Sequence, residues 1–81
     1  MQYLVIEVHG TASAPAGDAK LFDNISEAIK FITNINKNQK LLIDGLELDE
    51  KKVNEALKGK LSTISVTNDI DKHRKWLITA F

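Results

Sequence analysis

Ile25, Ala28, Ile29, Ile32 and Ile35 fall on one stripe of a single helix, and no other feature constrains the fold as much. A stripe this apolar needs a surface to cover it. The chain supplies one in short apolar runs of strand length: Tyr3-Leu4-Val5-Ile6, Leu41-Leu42-Ile43 and Trp76-Leu77-Ile78. Asn24, with Glu27 three residues later, makes a capping-box-like start for the helix, and Asn34, Asn36 and Asn38 weaken its end. A second helix is expected to start at Asp49, whose side chain can cap free amides. Leu48 and Val53 occupy the two positions of a hydrophobic staple, and Gly59 is a natural left-handed stop.

Residues 2–9 alternate, with Leu4, Ile6 and Val8 on one side and Tyr3, Val5, Glu7 and His9 on the other. The first side is wholly apolar, so it is expected to face the helices. Ala19 to Phe22 reads as a short strand pairing back on the first, and Leu41 to Leu46 as a central strand. Leu61 to Thr67 alternates again, with Ile64 and Val66 opposite Thr63, Ser65 and Thr67. Lys75 to Phe81 is read as a closing strand instead of a helix. Trp, Ile, Thr and Phe suit a pleated surface, and Leu61 to Thr67 needs a hairpin partner. Residues 10–17 are small, hold the single proline and two of the four glycines, and are expected to form a flexible loop.

The expected fold is therefore one α+β domain over 1–81, a small mixed or antiparallel sheet of four to five strands. Its order is β-(β)-α-β-α-β-β, with both helices on one face. This element order is similar to that of the sulfur-carrier family and of the C-terminal domain of translation initiation factor 3. The sulfur carriers work through a Cys-Pro-x-Pro motif, and a chain without cysteine cannot share that chemistry.

The absence of cysteine also excludes disulfides, thiolate zinc sites and a thiol nucleophile, and it fits a reducing compartment. Met1 leads straight into a strand pattern, and no apolar run approaches a membrane span, so a cytoplasmic protein off the membrane is expected. The formal net charge is zero. Residues 1–50 nevertheless carry four lysines against eight acids, and residues 51–81 seven basic residues against three acids. Folding the halves together is expected to interleave these charges.

No catalytic constellation stands out. His9 lies near Gly10, Thr11 and Ser13, but a hydroxyl nucleophile needs a held base and an orienting acid. Gly10 and Gly17 lack the spacing and the Gly-Lys-Ser/Thr of a phosphate loop. Asp44, Glu47, Asp49 and Glu50 do not match a calcium loop, and Asp49 is better explained as a cap. His9 and His73 are too few for a transition-metal signature. No catalytic residue, metal or cofactor is therefore expected.

Two surfaces remain. Lys72-His73-Arg74-Lys75-Trp76 sets basic residues beside a ring, as nucleic-acid surfaces do with phosphates and bases, although a pI near 6.7 is low for that role. The sheet face opposite the helices is expected to carry Tyr3, Val5, His9, Thr63 and Thr67. The last strand would add either Leu77 and Phe81 or Trp76 and Ile78. So apolar an open face marks an interface. The pattern thus points to a non-enzymatic binding protein of the accessory, inhibitor or immunity type, with another protein as partner, self-association included. A nucleic-acid module using Lys72–Trp76 ranks second and a small enzyme third.

Overall fold

A computed structural model describes residues 1–9, 19–37, 39–57, 62–71 and 73–81. Six strands form one sheet: β1 (Tyr3–His9), β2 (Lys20–Phe22), β3 (Leu41–Ile43), β4 (Leu46–Glu47), β5 (Ser62–Asn68) and β6 (Arg74–Ala80). Their order is β2-β1-β6-β5-β3-β4, and every neighbouring pair is antiparallel. Two helices, α1 (Ile25–Asn36) and α2 (Glu50–Ala56), pack on the same side. The α+β class, the closing strand β6 and the return of β2 onto β1 match the sequence pattern. The loop expected at 10–17 and the stop at Gly59 lie outside the described residues.

Both helices begin where their caps predict. The Glu27 amide donates to Asn24 Oδ1 at 2.9 Å, and the Lys51 amide to Asp49 Oδ1 at 3.2 Å, each satisfying one orphan donor of a first turn. On α1, Ile25, Ala28, Ile32 and Asn36 are buried, and Ile29 and Ile35 pack against the core from its flanks. Val53 and Leu57 anchor α2 in the same core. Phe22 meets Phe31 of α1 with ring centroids 5.4 Å apart, tying β2 to the helix that follows it.

Two features depart from the sequence pattern. The expected single strand Leu41–Leu46 is a hairpin, which raises the strand count to six and places these residues toward an edge of the sheet. Asp44 and Gly45 have φ values of 52° and 78°, as a two-residue turn of the primed type requires. An Asp-Gly pair between apolar residues is the local signal for such a turn. Nothing lies within 4 Å of a Cβ built on Gly45, so a side chain there costs conformational energy only. Gly45→Val is expected to destabilise the fold by about 1–2 kcal/mol, and Gly45→Asn by much less. Urea unfolding of the two variants checks this.

The second departure is the parity of β1. Val5, not Leu4, Ile6 or Val8, faces the helices, and it is 1% exposed. Register forces this. Gln2 and Phe81 exchange two backbone hydrogen bonds, of 2.7 and 2.9 Å, and the ladder then sets Val5 beside Ile78 and Glu7 beside Trp76. Trp76, Ile78 and Ala80 carry most of the apolar bulk of β6 and take the covered side, so β1 must present its odd-numbered residues there. Glu7 is tolerated on that side because it sits at the rim and meets Arg74 Nη2 at 3.3 Å.

Candidate functional site

With Val5 in the core and Tyr3 packed against it, the wholly apolar side of β1 is the open one. Leu4, Ile6 and Val8 are half-buried there, and no described helix packs over them. The ladders place them in rows across the sheet. Leu21, Leu4, Thr79 and Thr63 form one row; Ile6, Leu77 and Ser65 the next; Val8, Lys75, Thr67 and Leu42 the third. Leu77 is half-buried between Ile6 and Ser65, while Leu21 on the edge strand is 56% exposed. The Thr63 and Thr79 hydroxyls share a hydrogen bond of 2.9 Å. The result is an apolar half on β2, β1 and β6 joined to a hydroxyl half on β6 and β5.

The residues expected on this face divide. Thr63 is exposed on it and Thr67 half-buried on it, and Leu77 is the contribution of the last strand. Tyr3 and Val5 belong to the opposite side: Tyr3 packs against the core and Val5 lies within it. Val5 therefore cannot be a contact residue, and Val5→Asp would attack the fold and not an interface. The side chain of His9, at the end of β1, lies outside the described part of the structure. Leu4, Ile6 and Val8 take the place of Tyr3 and Val5. Their uniform apolarity was the available signal, and it fits an interface as well as a core.

The basic run is divided between the two faces of the sheet. Arg74 and Trp76 point to the helix side, Lys75 to the open side, and His73 is exposed in the preceding turn. Lys72 is outside the described residues. Trp76 has no exposed surface, so no base can stack on it; the guanidinium of Arg74 covers its ring at 5.0 Å instead. Arg74 is further engaged by Glu7. Strand alternation thus breaks up a patch that looks continuous in one dimension.

The remaining features have structural explanations. Asp49 caps α2, and Asp49, Glu50, Lys51, Asn54 and Glu55 line a shallow depression on its outer side where every side chain is exposed. Asp44 turns the hairpin, and Glu47 lies on the edge strand β4. Among the described residues no group of three or more His, Asp or Glu side chains could hold a metal ion. No helix of the described residues is long and apolar enough to cross a membrane. Comparisons with known protein families, curated proteins and solved structures gave no match to this chain.

Proposed function

We propose that this protein acts without catalysis, by binding another protein through the open face of its sheet. The observation that carries this reading is the contiguous apolar block of Leu4, Ile6, Val8 and Leu77 on the side opposite both helices. A sheet face left to water ordinarily alternates to polar residues, and the β5 portion of this one does so with Thr63, Ser65 and Thr67. The β1 portion does not. Holding four large aliphatic side chains in one block at the surface has an aggregation cost that an interface would justify.

The test is site-specific photocrosslinking in extract of the native host. A photoreactive residue replacing Ile6 should yield one discrete crosslinked species, and adding Leu77→Lys should remove it while the melting temperature stays within a few degrees of wild type. The same probe replacing Lys30, exposed on α1, should yield none. Because the contact is apolar, the yield should change little between low and moderate salt, unlike a phosphate-driven contact. Absence of any species specific to position 6 would remove the basis of the reading.

A further inference from the structure

We infer that the occupant of the open face is a second copy of this chain, packed sheet to sheet about a two-fold axis. This inference rests on the binding reading above and names its partner. It follows from how the rows map onto themselves. A two-fold axis lying in the interface along the row Ile6–Leu77–Ser65 exchanges the rows on either side of it. Leu4 then meets Val8 of the second copy, Thr63 meets Thr67, Thr79 meets Lys75, and Ile6 and Leu77 each meet their own counterparts. Apolar side chains fall on apolar ones and hydroxyls on hydroxyls or an ammonium donor. An unrelated protein would have to supply this pattern independently; a second copy supplies it by symmetry.

Charge favours the same occupant. Among the described strand residues, the charges on this face are Lys75 and, on the edge strand β4, Glu47, which continues the third row beyond Leu42. The axis separates the two Lys75 residues by four residues along the strands and by the spacing between the sheets. That distance is roughly 17 Å, about twice the screening length at physiological salt. The chain as a whole is neutral, so two copies do not repel, and the face offers no field of one sign to select a charged partner. Its size is also adequate. The molecule measures 30 × 25 × 20 Å, so its broad face presents roughly 700 Å² in projection, close to the ~800 Å² per partner of a standard interface. Face-to-face packing at about 10 Å, with strands near −30°, would give a helix–sheet–sheet–helix sandwich.

Sedimentation velocity of the purified chain across a dilution series tests this. A reversible dimer with a dissociation constant in the micromolar range is expected. Ile6→Asp should weaken it by about 100-fold or more, because the axis buries each introduced carboxylate against its own copy. Circular dichroism must show that variant folded; if it is not, Leu77→Lys serves in its place. In this cysteine-free chain, Ile6→Cys should be joined to its copy by a short bismaleimide, and Lys30→Cys should not. A chain that stays monomeric at millimolar concentration overturns the inference, as does a dimer crosslinked through Lys30→Cys and not through Ile6→Cys. If the pure chain is monomeric while the position 6 probe captures a different protein in extract, the second copy is excluded and the binding reading stands. If neither occurs, both fall.

Discussion

Trp76→Ala is expected to cost about 3–5 kcal/mol, the range for removing a buried large aromatic side chain. Trp76 has no exposed surface and lies on the central strand β6, flanked by Glu7 on β1 and Val66 on β5. Domains of this length are stable by roughly 4–12 kcal/mol, so the variant gives up at least a quarter of that margin and should melt well below wild type. Trp76→Phe should cost much less, below about 2 kcal/mol. It keeps most of the apolar volume and deletes an indole N–H that is buried without an acceptor among the described residues. Urea unfolding followed by far-ultraviolet circular dichroism measures both. A loss below about 1 kcal/mol for the alanine variant would contradict the burial described here. As the single tryptophan, the wild-type side chain should also emit as a buried indole and shift to the red on unfolding.

Trp76 also shows why part of the candidate site could not be read from the sequence. Lys72 to Trp76 is contiguous in one dimension, and only the commitment to a strand tells that consecutive side chains part company. Once β6 is a strand, Arg74 and Trp76 must share one side and Lys75 must take the other. The helices and their caps were legible because each signal is local: Asn24 and Glu27 are three residues apart, and Asp49 caps an amide two residues away. The hairpin at Asp44 and Gly45 was equally local and was obscured by the apolar run on either side of it.

The parity of β1 was a different kind of problem. Tyr3 to His9 offers Leu4, Ile6 and Val8 on one side and Tyr3 and Val5 on the other, so hydrophobicity alone favours burying the first set. What decides the matter lies more than 70 residues away, in the pairing of Gln2 with Phe81 and the demand of Trp76 for a covered site. A register set by the far end of the chain cannot be recovered from one strand's pattern. The open face is the complement of the covered one, so the parity of β1 decides both at once. Thr63 and Thr67 follow from the alternation of β5 alone. The pattern of the last strand allows either Leu77 or Trp76 and Ile78 on the open side, and the pairing of β6 with β5 selects Leu77.

Asn68→Ala is expected to cost about 2–4 kcal/mol, far more than its size implies, because this side chain closes a buried polar junction. Asn68 is fully buried at the end of β5. Its amide nitrogen donates to Asn36 Oδ1 and to Gln39 Oε1, both at 2.7 Å, and its Oδ1 accepts from the Ile70 and Asp71 amides, both at 2.8 Å. Asn36, itself buried, returns its own amide to the Ile32 carbonyl at 2.8 Å. One residue thus pins the end of α1 to the sheet and shapes the turn that delivers β6 in register. Alanine would leave the Asn36 oxygen buried without a donor and remove the cap from two turn amides. Asn68→Asp, which fits the space, would keep an acceptor for the two turn amides while setting a buried carboxylate against the Asn36 and Gln39 oxygens. It should therefore keep the turn at a higher cost in stability than the loss of two donated bonds alone. Hydrogen exchange should show the Ile70 and Asp71 amides exposed in the alanine variant and still protected in the aspartate one. Equal protection in both would mean that the backbone holds this turn without its side chain. Because the same turn leads into β6, a loosened junction should also weaken association through Leu77, a residue on the opposite side of the sheet from Asn68.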